Sequence, residues 1–489
     1  MPKAITAHSS SHQDIMNGPY GDFAPVNLPN AYSKIRERSY VMSLFVKDKG
    51  FYKTVLLLAL PVALQNTISI GVNLVDTIML GAFGEAQLSA SSLATNFYSL
   101  FTILCMGIGG GGTVMTAQFW GKRDISSFKS VVTIIYRITI TASLLFMGIS
   151  LLFGRQIMGI YASESDIIES GVKYFSFLSY TYLFMGLSQV TTLILRSYGC
   201  VKVPLISSII SFFVNILSNW IFIFGKFGFP RMEISGAALG TLISRIVEFA
   251  IIVGYFLCMD RKIRYRLPDL FLNCRTFYKD YLHYSVPVVT SDSLLAIGNN
   301  MVAIIIGRLG KLFVTANSIC GITVQLTTVF AQGISSASAT ITGNTIGEGN
   351  LDKAYHQGVT LVALSGIIGI AASIIVYTIN PFILSFYNVT AQTKEIADQL
   401  LAAVAFCTIF TCLQSVLTKG VLRAGGDTRF LMVADILFLW VASVPLGILS
   451  AWVLKLSPFF IYLSLRIDII IKSFWCIGRL KSRKWMKRI

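Results

Sequence analysis

The sequence predicts an all-α polytopic membrane protein with twelve transmembrane helices, arranged as two six-helix lobes related by a parallel repeat. Of its 489 residues, 54% are hydrophobic and only 13% are charged. Apolar stretches long enough to cross a bilayer, which takes about 20 residues, recur along the chain. The second set of stretches repeats the pattern of the first. A soluble chain of this length would instead divide into two or three domains with polar surfaces.

The predicted spans divide the chain into five segments, which are a polar, largely disordered cytoplasmic tail (1–50), an N-lobe of spans 1 to 6 (51–258), a cytoplasmic linker (259–279), a C-lobe of spans 7 to 12 (280–478) and a basic cytoplasmic tail (479–489). The predicted spans are 54–80, 90–119, 130–153, 172–195, 203–225, 236–259, 280–306, 314–343, 356–379, 396–421, 429–454 and 458–478.

Lys and Arg are concentrated in alternate loops, such as GKRDISSFK after the second span and the long loop after the sixth. Cytoplasmic loops carry this excess of basic residues, so we expect both termini in the cytoplasm and the protein in the plasma membrane. The net charge of +17 follows from this bias and from contact with anionic lipid. The sequence therefore predicts membrane lipid, and no nucleic acid, as a partner.

Residues 51–121 align without a gap with residues 277–347, at an offset of 226. The matches include Phe51-Tyr52-Lys53 with Phe277-Tyr278-Lys279, Pro61 with Pro287, Asn73 with Asn299, and Gly121 with Gly347. Because six spans are an even number, both copies enter the membrane from the same side, and the repeat is parallel. We expect a central cavity between the lobes, bounded by the polar faces of the first, fifth, seventh and eleventh spans.

The first span carries a polar stripe on an otherwise apolar helix. A carboxylate near the middle of a membrane costs about 2.5–3.5 kcal/mol, and the repeat mate of Asp76 is Val302, so the fold itself does not require this acid. We therefore predict that Asp76 is a proton or cation site; the alternative is a hydrogen bond between helices. The stripe consists of Gln65, Asn66, Ser69, Asn73, Asp76 and Thr77.

The fifth span offers a matching polar face within roughly 120° of the helix circumference. Its oxygen atoms suit Na⁺ coordination at Asp76, Asn215 and Asn219 as well as a proton network, and the alternative is packing by small polar residues. The face consists of Ser207, Ser208, Ser211, Asn215, Ser218 and Asn219.

In the second half, Asp292, Asn299 and Asp435 are predicted to line the substrate cavity together with Gln65, Asn66, Ser69 and Ser211. Arg245 and Glu248 are spaced for an ion pair within the sixth span. The predicted deep ionisable residues are mostly acids, which favours a cationic cargo. Pro61 and Pro287 each remove a backbone hydrogen bond and are predicted hinges.

The first span ending NLVDTIMLG, the two six-span halves and LRAGGDTR after the tenth span resemble the multidrug and toxic compound extrusion (MATE) family. The resemblance implies two lobes in a V and efflux of amphipathic organic cations and drugs in exchange for H⁺ or Na⁺. It places the family's first-helix acid at Asp76 and its sixth-helix threonine at Thr241. The family's fifth-helix Asn-x-x-x-Asp pattern matches Asn215 to Asn219, where the acid is replaced by an amide.

Other classes of protein function fit the sequence less well. The eight cysteines show no metal or redox spacing, so we expect no cofactor beyond the coupling ion. An enzyme is not expected, because His283 and His356 are far apart and the other histidines lie in the N-terminal tail. A lipid-linked saccharide flippase of the same superfamily is the alternative function, and it would favour several basic residues to hold a pyrophosphate. We expect a monomer.

Overall fold

The computed structural model describes residues 45–81, 84–385 and 389–489, so the predicted tail lies almost wholly outside the described residues. All regular secondary structure in these ranges is helical, which confirms the all-α fold class. The helices are α1 Lys49–Gly81, α2 Glu85–Gly121, α3 Ile125–Tyr161, α4 Ser165–Ser197, α5 Lys202–Phe224, α6 Glu233–Met259, α7 Arg275–Gly307, α8 Lys311–Gly347, α9 Leu351–Ser385, α10 Ala391–Leu422, α11 Thr428–Val453, α12 Pro458–Leu465 and α13 Ile467–Lys481.

Within the described residues, ten helices are long and apolar enough to cross a membrane, and α4, which is bent by 57°, makes an eleventh if it counts as one span. The predicted twelfth span over 458–478 is not continuous, because α12 and α13 are separated by a break at Arg466. Arg466 donates a hydrogen bond to Asn299 Oδ1 of α7 at 2.7 Å. The two pieces together occupy the position of the predicted twelfth span.

The two halves of the chain use the same helix packing. In the N half (α1–α6), the second and third helices pack on the fourth, the fourth and fifth on the sixth, and the first on the fifth. In the C half (α7–α13), α8 and α9 pack on α10, both α10 and α11 pack on the broken last span, and α7 packs on α11. Each half therefore forms its own bundle with a shared connectivity.

The halves meet through α1 and α2 on one side and α7 and α8 on the other. A Cβ atom added to Gly121 would collide with the carbonyl oxygen of Asn344, and one added to Gly347 would collide with that of Gln118. Both pairs of mates, Gln118 with Asn344 and Gly121 with Gly347, are separated by the repeat offset of 226. The contact is thus related by a pseudo-two-fold axis, which confirms that the repeat is parallel.

The C-terminal segment contacts both halves at the end of the molecule where Gly121 and Gly347 lie, which we call the terminal end. Gln118 donates hydrogen bonds to the carbonyl oxygens of Ala424 and Lys487, both at 3.1 Å, and its Oε1 accepts from the backbone N–H of Ile489 at 3.0 Å. The indole of Trp485 is fully buried. These contacts hold the terminal end closed.

The predicted linker packs against the N half along most of its length. The guanidinium of Arg137 in α3 donates to the carbonyl oxygens of Leu270 and Leu272 at 2.8–3.0 Å. Lys129 pairs with Asp269 at 2.8 Å, and Tyr265 is buried. The segment is therefore a cap on α3 that leads the chain to α7.

We expect Gly347→Ala to weaken closure of the terminal end, because the added methyl group meets backbone atoms that cannot rotate away. Ser336, which lines a cavity between the halves, provides the reporter. A cysteine at Ser336, in a chain freed of its own cysteines, should react several-fold faster with a membrane-impermeant maleimide added from the terminal end.

Gly148→Ala is the matched control, because an added Cβ at this α3 position meets nothing within 4 Å. Equal labelling rates in Gly347→Ala and Gly148→Ala would contradict a role for the glycine contact in closure.

Candidate functional site

The polar faces of α1 and α5 meet inside the N half, where α6 completes a cavity of about 160 Å³ that we call the N-half chamber. Small hydroxyl and amide side chains provide most of its polar surface, and two tyrosines close one side. Its polar lining consists of Ser69, Asn73, Asp76, Thr95, Tyr98, Tyr174, Ser208, Ser211, Asn215, Thr241, Ser244, Arg245 and Glu248.

Asp76 is held from α5. The amide of Asn219 donates a hydrogen bond to Asp76 Oδ1 at 2.5 Å and approaches Asn215 Oδ1 at 3.4 Å. Asn215 and Asn219 are buried, and Asp76 is half-buried at the chamber wall. Gly240 on α6 makes room for this arrangement, because a Cβ there would collide with Asn219 Oδ1. Among the described residues, Asp76 makes no ion pair.

Arg245 and Glu248 form the predicted ion pair, with 2.6 Å between Nη1 and Oε2. Both side chains line the N-half chamber, so the pair is part of its wall. Glu248 therefore has a paired cation, whereas Asp76 forms no ion pair within the described part of the chain. Ser211 donates to the carbonyl oxygen of Ser244 at 3.0 Å and ties α5 to α6 beside the pair.

The structure therefore brings Asp76, Asn73, Asn215 and Thr241 to one chamber, with Asn219 behind Asp76. Their roles in ion coupling stay predictions. Within the described ranges, no group of three His, Cys, Asp or Glu side chains is placed to hold a metal ion. Any Na⁺ in this chamber would therefore rely on Asp76 together with amide and hydroxyl oxygens.

A second cavity of about 180 Å³, which we call the inter-half chamber, lies between the halves. Residues of α1, α2 and α4 line it from the N half, and residues of α8 and α10 line it from the C half. Of the four helices predicted to bound the central cavity, α1 contributes residues to this chamber. The polar face of α5 is used inside the N half, and the acids of α7 and α11 are engaged in ion pairs.

Three basic residues line the inter-half chamber, namely Arg196, Lys419 and Arg423. These three bases were not predicted from the sequence, where the deep ionisable residues were expected to be mostly acids. Asn66 lines this chamber, while Gln65 is buried and accepts a hydrogen bond from Arg196. The repeat offered a signal for these residues, since Leu195-Arg196 and Leu422-Arg423 occupy corresponding positions.

The acids of the C half have partners of their own. Asp292 pairs with Arg423 at 3.2 Å, and Asn299 accepts the hydrogen bond from Arg466. Asp435 is 4% exposed and pairs with Lys472 at 2.9 Å, while Ser291 donates to its other oxygen. Asp292, Asn299 and Asp435 are not in the lining of either chamber, and their place in a substrate cavity stays a prediction.

The family model MatE matches residues 61–221 and 287–449, which together cover most of both halves. The chain belongs to the MATE family of efflux transporters. Its relatives include the probable multidrug resistance protein NorM of Thermotoga maritima, at 25% identity over 89% of this chain and 93% of that protein. The probable multidrug resistance protein YoeA of Bacillus subtilis is 24% identical over 83% of this chain and 88% of that protein.

A solved structure of a MATE protein in the bent conformation superposes on this MATE chain with a TM-score of 0.80 at 19% identity. The superposition covers 89% of this chain and 96% of that one. The likeness extends through both six-helix halves and shows that the fold is the two-lobed transporter fold of the family.

Proposed function

We propose that this MATE protein is a secondary antiporter that exports amphipathic organic compounds, cations among them, in exchange for protons. The observation that carries the proposal is Asp76, an unpaired carboxylate held by Asn219 at the wall of the N-half chamber. The names of the relatives from Thermotoga maritima and Bacillus subtilis support drugs as the exported compounds.

Exchange follows from competition at one carboxylate. When Asp76 is protonated, the chamber loses its free negative charge and releases a cation; when the proton leaves, the chamber attracts the next cation. Because proton and cargo bind the same group, each lowers the affinity for the other by the same factor. A proton gradient across the membrane then drives export.

The orientation of Asn219 supports a proton over Na⁺ as the coupling ion. Its amide nitrogen points toward both Asp76 Oδ1 and Asn215 Oδ1. A sodium ion is coordinated by oxygen atoms, and this N–H occupies one Asp76 oxygen that could otherwise bind it, whereas a proton can still bind the other oxygen of the carboxylate. The amide at the position of the family's second acid leaves one titrating group on this face.

We propose that the chain acts as a monomer in the plasma membrane with both termini in the cytoplasm, as the distribution of Lys and Arg in the loops supports. The terminal end then faces the cytoplasm. Since contacts among Gln118, Asn344 and the C-terminal segment close that end, this conformation corresponds to a state closed toward the cytoplasm.

The proposal is tested with the purified chain in proteoliposomes, with a pH gradient or a Na⁺ gradient imposed separately. We expect the pH gradient to drive uptake of a fluorescent organic cation and the Na⁺ gradient alone to drive none. Transport driven by Na⁺ alone would replace the proton with Na⁺ as the coupling ion. If neither gradient drives transport, the proposal that this protein is an antiporter is wrong.

We expect Pro61→Ala to keep the protein folded but to slow transport several-fold. Pro61 lies inside α1, on the N-terminal side of the residues that line the N-half chamber, and the proline removes a hydrogen bond that would otherwise stiffen the helix there. Pro381→Ala is the control, because Pro381 lies inside α9, which lines neither chamber. Unchanged transport kinetics in Pro61→Ala would remove the hinge.

A further inference from the structure

We propose that the inter-half chamber is a binding site for the carboxylate or phosphate group of an amphipathic anion. The inference rests on the proposed export of amphipathic compounds and extends their class from cations to molecules with an anionic group. It is carried by the charges of the inter-half chamber, which are opposite to those of the N-half chamber.

The balance of charge around the inter-half chamber is positive. Arg196, Lys419 and Arg423 line it, and the carboxylate beside them is Asp292, which pairs with Arg423 at 3.2 and 3.4 Å. Within the described residues, neither Arg196 nor Lys419 pairs with a carboxylate. Two positive groups that line one cavity without an ion pair of their own favour an anionic partner there.

The hydrogen bonds that the two arginines already make determine which donors remain for an anion. Arg196 uses one terminal nitrogen for Gln65 Oε1, and Arg423 uses both terminal nitrogens for Asp292. In the described chain, the Nε atoms of both side chains are buried and have no hydrogen-bond partner. A guanidinium binds carboxylate and phosphate oxygens through two parallel N–H groups, and Arg196, whose side chain among the described residues donates to Gln65 through one terminal nitrogen, keeps the other for such a ligand.

The two arginines that correspond in the repeat differ in whether a carboxylate neutralises them. Arg196 and Arg423 occupy corresponding positions in the two halves, but their partners differ, since Gln65 is an amide and Asp292 is a carboxylate. The C-half arginine is therefore neutralised and the N-half arginine is not. Lys419 adds an exposed ammonium group from the last turns of α10.

The two chambers are neighbours along α1. Asn66 lines the inter-half chamber and Asn73 lines the N-half chamber, which places them about 10 Å apart along the helix at 1.5 Å per residue. One helix thus borders a site with an unpaired acid and a site with unpaired bases. Cargo molecules of either charge have a matching site in the same protein.

The test measures binding directly, with three fluorescent dodecyl probes that differ only in a terminal carboxylate, phosphate or trimethylammonium group. The full chain is purified in neutral detergent, and fluorescence anisotropy reports the dissociation constants. We expect Lys419→Ala and Arg196→Gln each to weaken the carboxylate and phosphate probes by about tenfold, the usual loss for one charge-assisted hydrogen bond. The trimethylammonium probe should bind these variants as it binds the wild type.

Lys202→Ala is the matched control, because Lys202 is an exposed cation at the start of α5 outside both chambers. Equal affinity of the anionic probes for Lys419→Ala and Lys202→Ala would overturn the proposal, as would tighter binding of the trimethylammonium probe at this site. Lys419 makes no ion pair in the described chain and is exposed, so its loss should not unfold the protein.

Liposomes of phosphatidylcholine with and without phosphatidylglycerol separate two sources of the anion. If phosphatidylglycerol displaces the phosphate probe, the ligand is a lipid headgroup; if it does not, the ligand is a soluble anionic amphiphile. Uptake of the cationic dye under a pH gradient is measured in the same liposomes. Intact cation uptake without anion binding would refute the anion site alone, and anion binding without gradient-driven uptake would refute the antiporter alone.

Discussion

Asp76→Asn should abolish gradient-driven efflux while leaving the protein folded in the membrane. Asparagine keeps the shape of the side chain and an oxygen that accepts from Asn219, but it can neither lose a proton nor attract a cation. In this variant the carboxylate that remains in the lining of the N-half chamber is Glu248, which is paired with Arg245. We expect dye efflux from cells to fall to the background of cells without the protein, at matched expression.

Asp166→Asn is the control, because it makes the same chemical change at an exposed acid in the first turn of α4. Size-exclusion chromatography and the melting temperature of both variants should match those of the wild type. If Asp76→Asn cells pump as well as Asp166→Asn cells, the assignment of coupling to Asp76 is wrong.

Lys472→Met should destabilise the C half strongly. The ammonium group of Lys472 is 1% exposed and contacts Asp435 at 2.9 Å and Asp468 at 3.3 Å. Removing it leaves two buried carboxylates without a counter-charge, and breaking a buried ion pair from one side costs about 3–5 kcal/mol. We expect the detergent-solubilised variant to melt many degrees lower or to aggregate during purification.

A triple variant separates charge from packing. Lys472→Met combined with Asp435→Asn and Asp468→Asn removes the unpaired charges together, while Ser291 and Ser443 keep partners at the amides. We expect this variant to recover most of the lost melting temperature. A melting temperature of Lys472→Met equal to that of the wild type would show that the ion cluster contributes little to stability.

The acids of the C half form ion pairs with basic side chains. Asp292 partly neutralises Arg423 beside the inter-half chamber, and Asp435 belongs to a buried ion cluster that joins α7, α11 and α13. Neither acid is positioned to meet a cationic cargo in either chamber. We therefore expect any selectivity for cations to depend mainly on Asp76.

The helical membrane fold, the parallel repeat and the partnership of α1 with α5 could all be predicted from the amino-acid sequence. These features depend on the length of the apolar stretches, on the offset between the two repeats and on the helical period of 3.6 residues. All three can be recognised along the chain without knowing which helices touch. The polar residues from Ser69 to Asp76 and from Ser207 to Asn219 accordingly meet in one chamber. The break in the last span at Arg466, whose guanidinium donates to Asn299 of α7, was not predicted from the local pattern.

Which charged side chains neutralise each other depends on how the helices pack, and this could not be predicted from the sequence. Arg196 meets an amide and Arg423 meets a carboxylate, although both arginines have the same place in the repeat. Asp435 is buried because Lys472 approaches it from a helix 37 residues later in the chain. Electrostatic pairing depends on distances of about 3–4 Å between side chains on different helices, and residue spacing along one helix does not contain that information.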